Sequence, residues 1–345
     1  MRNAARLLAF LLLISALNSP HLPASAQEIQ PQIPLDDRIR IAEAFRLGEE
    51  LQEQVWKGWS EAPFAVLLVT QEYEFLIRHP QPSEDFTFLR DDPELKSKVY
   101  YRKRQFPPSL LATFPAVGGI STIVVGQLEN TNAGNSTHWV VTLLHEHFHQ
   151  WQDSQPDFYK NVNALGLARG DQSGMWMLNF PFPYERPDVD EKFQALSGAL
   201  VAALEARGKP EFTKRLDEYL AARHAFQQVL APDDFKYLSF QLWKEGVARY
   251  TEYRIARLAG QQFKPTAEFA ALADYVPFAS DADATLQRTI SQLKKAQLAK
   301  SKREIFYAVG AGEALLLDEA SPAWQAGYMR EKFALEGHFP QATGH

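Results

Sequence analysis

The chain has 345 residues, of which 46% are hydrophobic and 23% are charged, a composition typical of a globular protein. It contains no cysteine, which excludes disulfide frameworks, iron–sulfur clusters, cysteine nucleophiles and cysteine-based zinc modules, so any metal must be held by histidine and carboxylate side chains. The net charge of −6 provides no basic field, and we therefore expect no nucleic-acid partner.

Residues 1–26 have the three parts of a secretory signal peptide. Arginines supply a positive start, residues 7–17 form an apolar run, and Ala-Ser-Ala at 24–26 provides the small residues of a cleavage site. The apolar run is shorter than the about 20 residues of a membrane span, which disfavours the alternative of an uncleaved N-terminal anchor. We predict a mature chain that begins at Gln27, is periplasmic or secreted, and is not stably inserted in a membrane.

The next part of the chain predicts one helix and a small sheet. Apolar residues recur at helical spacing from Asp36 to Trp59. Short runs rich in β-branched and aromatic residues then predict strands at 64–70, 73–77, 99–101 and 120–125. We therefore expect an α+β subdomain over residues 27–130.

After residue 130 the composition changes to one that favours helices. The predicted helices are 137–153, 190–207, 211–230, 235–259, 282–303 and 310–319. Residues 154–188 are rich in Gly, Pro and aromatic side chains, which predicts a long ordered loop. The predicted fold class is α+β, in which a small N-terminal sheet is followed by a mainly helical lobe over residues 131–345.

A possible metal site lies within the first of these later helices. His145-Glu146-His147-Phe148-His149 matches the pattern H-E-x-x-H. On a helix, His145 and His149 lie one turn apart on one face and can bind one zinc ion together. Glu146 can then accept a proton from a metal-bound water as that water attacks a carbonyl group. His147 points away from this direction, and we expect it behind the ligands or at the surface.

Two histidines leave a catalytic zinc short of one protein ligand. A metzincin would supply a histidine at position 155 and a glycine at 152, but glutamine stands at both positions. A carboxylate from a later helix is the alternative, and we predict Glu245. Weaker candidates are Glu205, Asp171 and Glu185.

The residues after Glu245 add two expectations. The small residues Gly246 and Ala248 would let this helix pack closely on the H-E-x-x-H helix. Glu252 lies two turns after Glu245 on the same side, where it could orient a ligand histidine.

These two motifs together resemble the gluzincin metallopeptidases, the thermolysin-like group. The similarity rests on His145 to Gln150 and on the run Trp-Lys-Glu-Gly-Val-Ala-Arg-Tyr at 243–250. It implies a zincin-like catalytic lobe, zinc bound by the two histidines and Glu245, and Glu146 as the general base. It also implies a peptide or protein substrate that pairs with an edge strand. Residues 118–126 are the candidate edge strand, and an ordinary core strand is the alternative.

The predicted function is therefore that of an exported zinc metallopeptidase. Tyr307 or His338 is the candidate for stabilising the developing oxyanion, and we choose Tyr307. The alternative is a catalytically silent zincin-like binding protein. The intact Glu146 favours the enzyme, because a binding protein has no chemical need of that carboxylate.

Overall fold

The computed structural model describes residues 31–340. The predicted signal peptide, residues 1–26, and the predicted start of the mature chain at Gln27 lie outside this part. From Ile33 onward the described chain forms one compact unit. No helix between residues 31 and 340 is both long enough and apolar enough to span a bilayer.

The described residues contain a six-stranded mixed sheet. Its strands are β1 (Val66–Val69), β2 (Tyr73–Ile77), β3 (Thr87–Asp92), β4 (Ser97–Lys103), β5 (Leu111–Val117) and β6 (Ile120–Gly126). They lie in the order β3-β4-β2-β1-β6-β5. β1 and β6 are parallel, and all other neighbours are antiparallel. Every residue of β1 is buried, as its uninterrupted apolar run indicates for a central strand.

The sheet corrects one expectation about its edge. β6 pairs with β1 on one side and with β5 on the other, so residues 118–126 contain a core strand and not the edge strand. At this side of the sheet the edge strand is β5, which was not among the predicted strands. β5 contains Pro115 and several partly exposed residues, and an edge position tolerates both. The polar edge strand β3 was also not predicted.

Helices make up most of the rest of the described chain. They are α1 (Leu35–Val55), α2 (Ser136–Ser154), α3 (Phe158–Ala164), α4 (Trp176–Asn179), α5 (Pro187–Ala206), α6 (Phe212–Gln228), α7 (Pro232–Gln241), α8 (Val247–Gln262), α9 (Ala267–Ala270), α10 (Phe278–Lys294), α11 (Leu298–Ser301), α12 (Ile305–Ala320) and α13 (Gln325–Tyr328). The fold class α+β is confirmed. The division into subdomains at residue 130 stays a prediction.

Three predictions in the helical part need correction. The predicted helix 235–259 is interrupted by a π-helical turn, Leu242–Gly246, between α7 and α8. The predicted helix 282–303 is divided into α10, α11 and a 3₁₀ helix at Lys302–Glu304. The predicted loop 154–188 contains the short helices α3 and α4. None of these departures is visible in the spacing of apolar residues, because tertiary contacts decide where a π-turn or a short helix forms.

Helix α2 is the central helix of the fold. Its apolar residues, among them Trp139, Leu143 and Phe148, are buried in the core between one face of the sheet and the helices α1 and α8. A smaller apolar cluster, which includes Leu67 and Val124, covers the other face of the sheet. This packing puts the H-E-x-x-H segment between the edge strand β5 and α8.

Candidate metal centre

The two histidines of the motif face one point from successive turns of α2. The helix begins after Asn135, whose side chain accepts a hydrogen bond of 2.8 Å from the backbone N–H of His138, as an N-cap does. Ten and fourteen residues after Asn135, the imidazoles of His145 and His149 converge, and their Nε2 atoms are 3.2 Å apart. Both residues are buried.

Glu245 meets these histidines from the π-helical turn. Its Oε2 atom lies 3.2 Å from Nε2 of His149 and 3.9 Å from Nε2 of His145. Tetrahedral zinc with bonds of about 2.0–2.1 Å holds its ligand atoms about 3.3 Å from one another. Two of the observed separations are close to that distance, and the third, between Glu245 and His145, is about 0.6 Å longer. Two imidazoles with one carboxylate are a donor set that zinc accepts.

The competing carboxylates lie elsewhere. Glu205 is exposed and pairs with Lys294 at 2.7 Å. Asp171 is partly exposed and accepts hydrogen bonds from residues of its own turn, and Glu185 is exposed. Within residues 31–340, the cluster of three metal-binding side chains is the one formed by the two histidines and Glu245.

The charges at the centre depend on one another. Burial raises the pKa of Glu245, but the adjacent His149 and His145 outweigh burial and hold that pKa well below its usual range. Burial likewise lowers the pKa of His149, and the Glu245 carboxylate reverses the shift and raises it. Glu245 is therefore an anion in the fold, the state that a metal ligand requires.

Each ligand histidine has a partner behind it. Nδ1 of His145 lies 2.8 Å from Oε1 of Glu252, so the expectation that Glu252 faces a ligand histidine is confirmed. Burial alone would raise the pKa of Glu252, but Arg249 and His145 outweigh burial and lower this pKa to about 2. A carboxylate behind a ligand imidazole fixes the orientation of the ring and makes Nε2 a better donor to metal.

Gln152 does the same for the second histidine, a role that was not predicted from the sequence. Its Oε1 atom lies 2.6 Å from Nδ1 of His149. Its Nε2 atom donates to the carbonyl oxygens of Trp243 and Lys244 at 3.3 and 3.2 Å, and to the hydroxyl of Tyr328 at 2.7 Å. One amide side chain thus joins a ligand histidine to the backbone that leads into Glu245. The available signal was its position three residues after His149.

Glu146 is held by the edge strand. Oγ1 of Thr113, in β5, donates to Oε2 of Glu146 at 2.7 Å. Glu146 is 6% exposed and follows a ligand histidine directly, so its carboxylate lies beside the centre without belonging to the ligand cluster. The contact with Thr113 joins two segments that are 33 residues apart, and nothing in the local sequence indicates it.

Tyr307 lies next to the centre, and His338 does not contact it. The ring of Tyr307 is parallel to that of His145 within 7°, with the centroids 6.4 Å apart. Burial and the Glu245 carboxylate raise the pKa of Tyr307 well above its ordinary value, so the phenol is protonated. His338 instead lies 3.7 Å from Glu331 and packs near Trp324.

His147 is not a surface residue. It is 1% exposed and stacks on Phe64 with a centroid distance of 4.0 Å. Its ring nitrogens lie 3.0 Å from Gln150 and 3.1 Å from Gln52. Burial lowers the pKa of His147 to about 3. It is a neutral core histidine on the side of α2 away from the ligand cluster.

The helix that contains Ala248, α8, packs on α2 as expected, but the closest backbone contact at Gly246 is with a different helix. A Cβ atom on Gly246 would lie 2.4 Å from Cα of Gly310 in α12, so the glycine allows α12 and not α2 to approach. A Cβ on Gly310 would in turn lie 2.6 Å from the carbonyl oxygen of Leu242 and 2.7 Å from Cα of Gly246. The π-helical turn that carries Glu245 therefore rests backbone against backbone on α12.

Comparisons of the chain with models of protein families, with curated proteins and with solved structures find no match.

Proposed function

We propose that this protein is a zinc-dependent peptidase with a zincin-like catalytic lobe of the gluzincin type. The observation that carries the proposal is the convergence of His145, His149 and Glu245, whose facing ligand atoms lie 3.2 to 3.9 Å apart, with Glu146 beside them. Export to the periplasm or the medium is part of the proposal and rests on residues 1–26.

Each residue of the centre has a role in this reaction. Zinc bound by the three ligands would polarise a carbonyl group and lower the pKa of a coordinated water to about 7. Glu146 accepts the proton as the peptide bond is attacked and delivers it to the leaving amine. Thr113 donates to Oε2 of Glu146 and so fixes the orientation of that carboxylate. Glu252 and Gln152 keep the two imidazoles in place.

The backbone of β5 offers a place for an extended substrate. The carbonyl of Leu110 accepts from the N–H of Gly126, at 2.9 Å, and pairing of β5 with β6 continues from there. Because backbone groups alternate in direction along an antiparallel strand, the N–H and C=O of Thr113 point to the edge of β5 that has no strand partner within residues 31–340. A peptide added there as a further strand would pass over Glu146.

Tyr307 is the proposed donor to the developing oxyanion. Its hydroxyl oxygen accepts from Nη1 of Arg303 at 2.8 Å, which leaves the phenolic proton for another acceptor. A donor of this kind acts on the transition state because negative charge develops on the carbonyl oxygen only during attack.

The experiment compares the wild-type protein with Glu146→Gln after loading with zinc. The amide keeps the shape of the side chain but cannot accept a proton, so we expect zinc to remain bound and cleavage of a mixed peptide pool to fall roughly 10²–10⁴-fold. Glu129→Gln, at an exposed position, is the matched control and should keep full activity. A wild-type protein that binds zinc and cleaves nothing in the pool would instead support the silent binding protein.

A further inference from the structure

Arg303 lies next to the metal centre, and the mechanism above uses only its hydrogen bond to the hydroxyl of Tyr307. It belongs to the short 3₁₀ helix Lys302–Glu304, directly before α12. Its guanidinium donates to the hydroxyl of Tyr307 at 2.8 Å, and the ring of Tyr307 is parallel to the ring of His145. One aromatic side chain therefore separates this cation from a ligand of the metal. The side chain of Arg303 is 19% exposed, so a ligand can reach it from solvent.

Arg303 differs from the other cations around the centre in the way its charge is balanced. Lys244 pairs with the buried Asp153 at 3.0 Å, and Arg249 pairs with the buried Glu252 at 3.2 Å.

Among the described residues, the ion-pair partner of Arg303 is Glu304, at 3.2 Å, and the side chain of Glu304 is 71% exposed. An ion pair so open to solvent is screened by water and salt, so it does little to balance the charge of Arg303. Burial lowers the pKa of Arg303, and Tyr307 and Glu245 reverse this effect. Because zinc would neutralise Glu245, Arg303 is left as a cation without a buried anion.

The guanidinium of Arg303 has hydrogen-bond donors to spare. It carries five N–H groups, and the contacts with the Tyr307 hydroxyl and the Glu304 carboxylate use two of them. The remaining N–H groups suit a small planar anion, which a guanidinium can bind through two parallel hydrogen bonds.

We propose that Arg303 is a specificity-determining residue that binds a carboxylate of the substrate close to the scissile bond. A planar guanidinium binds a carboxylate through two parallel hydrogen bonds, which fixes its position as well as its charge. This inference rests on the proposed peptidase function and deepens it by naming the substrate class. The carboxylate is either the free C-terminus of a peptide or an aspartate or glutamate side chain, and the experiment separates the two sources.

The test uses a random hexapeptide pool in two forms, one with free C-termini and one amidated, and mass spectrometry of the products. If the C-terminus is recognised, the zinc-loaded protein should cleave the free-acid pool roughly 10- to 100-fold faster near its C-termini. If an acidic side chain is recognised, both pools should show cuts flanked by Asp or Glu with a similar preference. In Arg303→Gln either preference should disappear, whereas Arg303→Lys should retain part of it.

Lys302→Gln is the matched control, because it removes a neighbouring exposed charge and should leave the preference unchanged. A second readout needs no turnover. Calorimetry should show that the best-cleaved peptide binds zinc-loaded Glu146→Gln roughly 10- to 100-fold more tightly than its neutral counterpart, and that adding Arg303→Gln abolishes the difference.

The possible failures are distinguishable. Cleavage of both pools with no acidic preference, or a preference that survives Arg303→Gln, would overturn the carboxylate site and leave the peptidase proposal standing. Absence of cleavage by the zinc-loaded wild type would overturn the peptidase proposal and the carboxylate site with it.

Discussion

Replacing Gly310 with alanine tests whether α12 holds Glu245 at its place in the metal centre. The new Cβ atom would lie 2.7 Å from Cα of Gly246, whereas ordinary van der Waals contacts begin at 3.4 Å. The backbones must therefore separate by about 0.7 Å, since 3.4 − 2.7 = 0.7. No change of rotamer relieves this clash, because the atoms on both sides are backbone atoms.

The displacement falls on the turn that carries Glu245. Overpacking of this kind typically destabilises by about 1–3 kcal/mol. Metal–ligand distances tolerate changes of only about 0.2 Å, so a shift of 0.7 Å in the Leu242–Gly246 backbone is large enough to disturb the carboxylate. Where this destabilisation of about 1–3 kcal/mol acts on the zinc-bound conformation, the affinity for zinc should fall roughly 5- to 150-fold.

The assay measures zinc affinity by competition with a chromophoric chelator, with circular dichroism as a check that the metal-free variant is folded. Gly312→Ala is the matched control, because it lies on the same helix and its Cβ would meet the flexible side chain of Leu200 at 3.0 Å. We expect it to bind zinc as the wild type does. Unchanged zinc affinity in Gly310→Ala, or an equal loss in Gly312→Ala, would refute the reasoning.

Three further predictions concern the ligands, their support and the N-terminus. Glu245→Ala should lose most of its zinc while Glu205→Ala keeps it, as metal analysis of the purified proteins would show; full occupancy in Glu245→Ala would remove Glu245 from the ligand set. Gln152→Leu keeps a side chain of similar size but frees His149 and the backbone before Glu245, so zinc affinity should fall roughly 10- to 100-fold in the same chelator competition. N-terminal sequencing of exported protein should find Gln27, and a mature chain that begins at Met1 would contradict the signal peptide.

Local sequence determined the parts of the site that lie within one helix. The spacing of His145 and His149 follows from 3.6 residues per turn. Glu252 lies in α8 and Glu245 in the π-helical turn before it, so the α-helical period alone does not fix how these two side chains face. The two histidines face one another as expected, and Glu252 meets a ligand histidine. Helix α2 begins at a polar cap and buries its apolar face, and both features can be predicted from residues that are neighbours in the sequence.

Only the tertiary structure decided which distant segments meet these helices. Thr113 contacts Glu146 because β5, and not β6, takes the edge of the sheet beside α2. Gly246 contacts Gly310 because the backbone of α12 packs on the π-helical turn, whereas α2 reaches that turn through side chains. A glycine indicates that another backbone segment can approach closely, but the residues around it in the sequence do not predict which segment that is.

The same limit applies to charge. Counting acids and bases along the chain cannot distinguish Lys244 and Arg249, whose partners are buried, from Arg303, whose partner faces solvent. The periodicity of apolar residues and the capping of helices depend on only a few neighbouring residues, so both can be predicted from the sequence. Helix crossings, strand order and the burial of an ion pair depend on contacts between segments that are far apart in the chain, and the packing of the whole core decides them.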